Sequence, residues 1–200
     1  LGLVRLVLGT LITGKAKMPD LDEAKLLQAA RKFDQDALRT IFDSYSIIVY
    51  RYALRLCRDS LEADNIVGDV FAQLLEQLAE GKGPQTNLRS YLYQITYHII
   101  VDHARDQRHI SSLGAADFRA ERASPVALQA EEESTLNSII EAMATYLSPE
   151  QRHVLILRFV EGFNVRETAA IVGKSETNVK VIQNRGLAKL REVLNREVEP

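Results

Sequence analysis

Between residues 21 and 108 the apolar positions recur at intervals of three and four. Leu38, Ile41, Phe42 and Tyr45 make one such stripe, and Ile66, Val70, Leu74 and Leu78 make another. That is the repeat of a helix with one buried face. The spacing predicts helices over 22–33 and 35–58, then a third opened by Ser60 as N-cap with Glu62 and Asp64 in its first turn. The run GKGPQTN at 81–87 reads as a loop, and a fourth helix is expected over 88–107. At 111–125 the pattern breaks into small and polar residues, SSLGAADFRAERASP, and helical spacing resumes over 128–146. Ser148-Pro149-Glu150-Gln151 then carries the start signal of a further helix: a serine cap, proline where no N–H is needed, and Gln at the reciprocal capping position. The long Leu/Ala/Glu/Arg stretches favour an all-α chain. The expected organisation is an extension at 1–20, a helical domain at 21–110, a flexible linker at 111–134 and a second helical domain at 135–200.

The stretch GFNVRETAAIVGKSETNVKVIQNRG at 162–186 predicts two short helices around a tight turn. Asn164 and Glu167 repeat the capping-box pattern, Gly173 suits a left-handed C-terminal turn, and Ser175 caps the second helix with Glu176 in its first turn. The adjacent Ala169 and Ala170 are expected to let another helix approach closely. On a helical wheel Val179, Gly186, Leu190, Val193 and Leu194 gather on one side, while Lys180, Asn184, Arg185, Ala188, Lys189 and Arg191 lie opposite. A helix that packs by one face and presents a cationic, hydrogen-bonding face outward fits a DNA major groove. Ser175, Glu176, Thr177, Asn178 and Lys180 would reach base edges, and Arg185, Lys189 and Arg191 would meet phosphates. The plainer alternative is a solvated helical hairpin. One bidentate base contact supplies only about 1–3 kcal/mol of discrimination, so one small helix needs a second DNA contact or a large carrier to select a site.

Charge sharpens this picture. The 25 Lys and Arg against 27 Asp and Glu leave a net charge of −2, which argues against indiscriminate coating of nucleic acid. The charge is segregated: 174–191 holds five basic residues against Glu176, and 117–141 holds six acidic residues against Arg119 and Arg122. Cys57 is the single cysteine and has no partner for an internal disulfide, which points to the cytoplasm. It lies among Leu54 and Leu56 and reads as core rather than nucleophile. The opening LGLVRLVLGTLI is too short to span a bilayer and is interrupted by Arg5, and Lys15 and Lys17 follow rather than precede it. It reads as an upstream extension, the alternative being a helix lying in a membrane interface.

The segment LSPEQRHVLILRFVEGFNVRETAAIVGKSETNVKVIQNRGLAKLREVL resembles region 4 of the bacterial sigma-70 family, in the compact extracytoplasmic-function form that keeps regions 2 and 4. EADNIVGDVFAQLL at 62–75 and LRSYLYQITYHIIVDHARDQR at 88–108 resemble successive helices of region 2. The resemblance spans about residues 24–194. It implies a sigma factor that directs RNA polymerase core to promoters, recognises a −35 element and melts a −10 element, without catalysis, cofactor or metal. Asp64, Asn65, Asp69 and Gln73 match the positions that bind a coiled coil of the β′ subunit, and the β flap is the second polymerase contact implied. Asn87, Arg89, Tyr91, Tyr93, Tyr97, His98, Asp102, Arg105 and Arg108 match the −10 interface, where aromatic faces stack on unpaired bases and basic groups meet phosphates. The loop at 81–90 is placed to form a pocket for an extruded base. Arg166, Ser175, Glu176, Thr177, Asn178, Lys180, Val181, Asn184 and Arg185 match the −35 reader. An anti-sigma factor is a further possible partner.

The chain departs from the family pattern at several positions. Asn65 replaces the second acid of a pair, Tyr91 stands where Trp is usual, His98 stands where Asn is frequent, and Gln183 and Leu187 replace residues more often apolar and basic. On the wheel Leu92, Ile95 and Ile99 take the buried face of the 88–107 helix, which leaves Tyr93 and Tyr97 on the surface, while Tyr91 is equally placed for either. His98, Asp102, His103 and His109 complete no metal-ligand pattern. Two other readings stay open at this point: a helix-turn-helix regulator that is not a sigma subunit, whose N-terminal half should show alternating strands, and a sigma-like adaptor that binds protein but not promoter DNA.

Overall fold

The computed structural model describes residues 22–112 and 131–198, with side chains except at 107–112, 131–136 and 194–198. All elements among them are helical, as expected. The apolar N-terminal segment lies outside the described residues, as does most of the expected linker. Two compact units divide the chain, one holding 22–112 and the other 131–198.

The first unit contains α1 (Glu23–Ala30), α2 (Gln35–Cys57), α3 (Ser60–Ala79) and α4 (Leu88–Ser112). The first three open on an aspartate whose carboxylate accepts an otherwise orphaned N–H: Asp22 from Lys25, Asp34 from Ala37 and Asp59 from Glu62. Asp59 thus takes the capping role expected of Ser60, which becomes the first helical residue. Asp59 has extended backbone (φ −127°), and its charge also complements the helix dipole. Helix α2 stops at Arg58, which turns left-handed at φ 62°.

Helix α4 packs against both α2 and α3, and this widens its buried face. Leu88, Leu92, Tyr93, Ile95 and Thr96 are all buried, whereas Ile99 is only half-buried. The surface position expected for Tyr93 is therefore corrected. Its ring is 0 % exposed and lies 4.8 Å, centroid to centroid, from that of the equally buried Tyr52 on α2. A helix wedged between two partners needs a broader apolar arc than a helix lying on one. Thr96 satisfies its buried hydroxyl by donating to the Leu92 carbonyl at 2.7 Å.

The second unit contains α5 (Glu131–Tyr146), α6 (Pro149–Leu155), α7 (Val165–Val172) and α8 (Glu176–Val198). The capping box before α6 forms as read: the Gln151 N–H donates to Ser148 Oγ at 3.3 Å, and the Ser148 N–H donates to Gln151 Oε1 at 3.1 Å. Helix α6 then loosens into a π-helical turn at Ile156–Val160, with the Glu161 N–H donating to the Ile156 carbonyl at 2.9 Å. The wider turn accompanies burial of the consecutive run Val154, Leu155, Ile156 and Leu157 together with Val160. His153 is buried beside this run, and that burial, with the Arg152 charge second, pushes its imidazole down to about 3.

Candidate nucleic-acid and polymerase interfaces

Helix α7 is held at both ends. The Glu167 N–H donates to Asn164 Oδ1 at 2.9 Å and the Asn164 N–H donates to Glu167 Oε2 at 2.7 Å, completing the second capping box. Gly173 turns left-handed at φ 64° and the Lys174 N–H donates back to the Ala169 carbonyl at 3.0 Å. Two residues later Ser175 Oγ accepts from the Asn178 N–H at 3.2 Å and starts α8. Of the alanine pair, only Ala169 faces the core, while Ala170 is exposed. A close helix approach is made at Gly186, where an added Cβ would lie 3.1 Å from Leu155 Cδ1. Lys174 pairs with Glu150 at 2.6 Å, which ties the turn to α6.

With Val179, Gly186 and Leu190 buried, α8 presents the rest of its first turns outward. Ser175, Glu176, Thr177, Asn178, Lys180, Val181, Asn184 and Arg185 are all exposed, as is Arg166 on α7. Every member of the expected −35 set is thus exposed, with Lys180 and Arg185 five residues apart on α8. In the sequence Gln183 stands out only as a departure from the family pattern. In the structure its Oε1 accepts from Arg158 Nε at 3.0 Å, and Arg158 Nη1 donates to the Phe163 carbonyl. This half-buried guanidinium joins the π-turn, the loop before α7 and α8, and its burial lowers its pKa. An amide at 183, where an apolar residue is more usual, is the one trace of this partnership in the sequence, and it does not identify Arg158.

On the first unit, Asp64, Asn65, Asp69 and Gln73 are all exposed on α3, opposite the buried Ile66, Val70 and Leu74. Exposed apolar rings and chains adjoin this helix: Phe42 of α2 lies against Phe71 with centroids 4.8 Å apart, and Leu61 and Leu75 are exposed.

The expected −10 residues separate into groups. Tyr91, His98, Asp102 and Arg105 follow at seven-, four- and three-residue intervals on one face of α4. His98, Asp102 and Arg105 are exposed and Tyr91 is half-buried, which raises its pKa. Asp102 Oδ1 accepts from Arg105 Nη1 at 3.0 Å. Half-buried Tyr97 sets its ring edge-on to His98 at 5.4 Å. Asn87 is exposed and left-handed at φ 56°, a conformation Asn tolerates better than most residues. One residue leaves the expected surface, Tyr93, which is in the core. Arg89, half-buried like Tyr91 and Tyr97, sets its guanidinium 5.3 Å from the Tyr93 ring centroid. The Arg108 side chain lies outside the described ones. Cys57 is half-buried with its thiol pushed up to about 11, chiefly by burial, which disfavours the thiolate. Among the described residues no helix is long and apolar enough to cross a membrane.

Comparison with known proteins agrees with this geometry. Residues 41–110 match the family Sigma-70 region 2, and residues 145–192 match Sigma-70, region 4. The ECF RNA polymerase sigma factor BldN of Streptomyces coelicolor is 27% identical over 188 residues, covering 88% of this chain and 68% of BldN. SigX of Bacillus subtilis is 27% identical over 78% of this chain and 83% of its own, and SigD of Mycobacterium tuberculosis is 29% identical over 80% and 77%. Among solved structures, CnrH in complex with the cytosolic domain of CnrY has TM-score 0.65 at 20% identity, covering 86% of this chain and 97% of that one. The sigma factor RpoE of Bartonella quintana, in complex with the anti-sigma factor NepR, has TM-score 0.64 at 20% identity, covering 85% and 99%. Regions 2 and 4 in this order, on two separately packed helical units, with relatives of one type along most of the chain, mean that this chain belongs to the sigma-70 family as a sigma factor of the extracytoplasmic-function type.

Proposed function

We propose that this chain carries RNA polymerase core to promoters by gripping DNA with two helical lobes at once. The observation that carries the reading is α8: a helix capped at Ser175, seated by Val179, Gly186 and Leu190, with Lys180, Asn184 and Arg185 outward. Its first turns enter the major groove of the −35 element, with Arg166 beside them. The exposed face of α3, Asp64, Asn65, Asp69 and Gln73, binds the β′ coiled coil, and the lobe holding α8 takes the β flap. Asn87, Arg89, Tyr91, Tyr97, His98, Asp102 and Arg105 hold the melted −10 strand, and the loop before α4 receives an extruded base. Tyr93 acts only as a core residue beneath this surface. No bond is made or broken in this role, because stacking and pocket contacts favour open strands over duplex. The chain works in the cytoplasm. The complexes in which CnrH and RpoE were solved support an anti-sigma partner here too.

Transcription with purified core on genomic templates, with start sites mapped, tests the reading: discrete starts are expected, and a mixture that initiates nowhere refutes it. Lys180→Ala with Arg185→Ala is expected to erase the −35 footprint. Each side chain withdrawn from a phosphate lowers the log–log salt slope of binding by about one. An unchanged footprint and slope would remove α8 from the interface.

A further inference from the structure

Helix α1 has no place in the interfaces above, yet Glu23 in its first turn and Arg31, its C-cap residue, reach across the first unit to the loop before α4 and its end. Arg31 Nη2 donates to two successive carbonyls of that loop, Gly83 at 3.0 Å and Pro84 at 2.7 Å. Glu23 Oε1 accepts from the Leu88 N–H at 3.3 Å, the first N–H of α4 and one of its orphaned donors. The two anchors lie eight residues, about 12 Å, apart along α1. Between them the chain exposes three consecutive polar side chains, Gln85, Thr86 and Asn87. The start of the loop is pinned independently. The Lys82 and Gly83 N–H groups both donate to the Gln77 carbonyl, at 2.8 and 3.0 Å, and a Cβ on Gly83 would lie 2.6 Å from Leu78 Cδ2. A side chain at 83 would push the end of Leu78 aside, because the loop presses on the end of α3.

We propose that α1 is a brace for this loop, with Arg31 and Glu23 as positioning residues that hold Gln85, Thr86 and Asn87 in the geometry that discriminates between unpaired bases of the −10 element. The inference rests on the loop receiving such a base, as argued above. Without Arg31 the buried Gly83 and Pro84 carbonyls lose their shared donor, and without Glu23 the left-handed Asn87 loses the anchor that follows it. A loop freed at both points still carries its donors and acceptors but no longer aims them. The base preference therefore falls before the affinity for polymerase or for the −35 element does.

The experiment uses the full chain with core polymerase on promoters carrying each base in turn at every −10 position, and reads initiation per template. Arg31→Ala is expected to compress the ratio between best and worst base about tenfold, the worth of one well-aimed base contact, with core binding and the −35 footprint unchanged. Glu23→Ala should compress it in the same direction, and Glu23→Gln, which keeps an oxygen acceptor for the Leu88 N–H, should restore it. Should Arg31→Ala fail to fold, as read by its melting transition, the Glu23 pair carries the test. An unchanged preference in folded variants, or a loss uniform across all bases, overturns the brace. Gln85→Ala with Thr86→Ala and Asn87→Ala separates the two claims: if this variant leaves the preference intact, the loop reads no base and the parent reading fails with it, whereas a lost preference here beside intact α1 variants defeats the brace alone.

Discussion

Tyr93→Ala is expected to cost about 3–5 kcal/mol of stability in the unit that holds it, the range for truncating a large buried aromatic side chain. Tyr93 is fully buried against Tyr52, and the Arg89 guanidinium lies 5.3 Å from its ring centroid, so the substitution opens a cavity between α2 and α4. A whole domain is commonly stable by only about 5–15 kcal/mol, which makes this loss visible as a large fall in the first unit's melting transition. Tyr97→Ala, four residues along the same helix, should behave oppositely. Its half-buried ring contributes roughly 1 kcal/mol or less to folding. Its loss removes base stacking valued at about 1–3 kcal/mol, so promoter opening should drop roughly 5- to 150-fold while closed binding persists. Calorimetry of both variants, beside permanganate reactivity of the −10 strand, checks the pair. Wild-type melting of the Tyr93 variant would return that residue to the surface, and wild-type reactivity of the Tyr97 variant would take it out of the DNA interface.

Acid is expected to weaken the second unit well before its carboxylates protonate. His153 is buried as the neutral imidazole, with its folded pKa lowered from 6.5 to about 3. Below pH 6.5 the unfolded chain binds a proton at this residue and the folded chain does not. Stability contributed by the neutral form is therefore complete above pH 6.5 and drains away as pH falls toward 3. The slope approaches 1.4 kcal/mol per pH unit, so roughly 2 kcal/mol should go between pH 6.5 and 5. Calorimetric melts of the full chain across that window should show the transition of the second unit falling. His153→Leu should flatten the dependence, whatever it does to the absolute stability. An equal slope in wild type and variant would place the proton uptake elsewhere. Because His153 sits beside the π-turn and the Leu155 contact with Gly186, the same acid sensitivity should reach the seating of α8 and hence −35 binding.

Local chemistry was legible from the residues themselves. The capping boxes at Ser148 and Asn164, the left-handed Gly173 and the Ser175 cap are contacts made within three or four residues, so their spacing in the chain is nearly their geometry in space. For the same reason the outward face of α8 and the polar face of α3 could be read from a wheel, since each helix has a wide solvated side. The burial of Tyr93 could not be read that way. It depends on α4 lying against two helices at once, a property of how α2 and α3 leave a groove between them. The partnership of Arg158 with Gln183, separated by 25 residues, and the reach of Arg31 to a loop 52 and 53 residues away are likewise long-range meetings that no periodicity encodes. Short-range hydrogen bonding and amphipathic spacing are written in the order of residues, whereas which polar side chain finds which distant carbonyl is settled only when the helices pack and bury both.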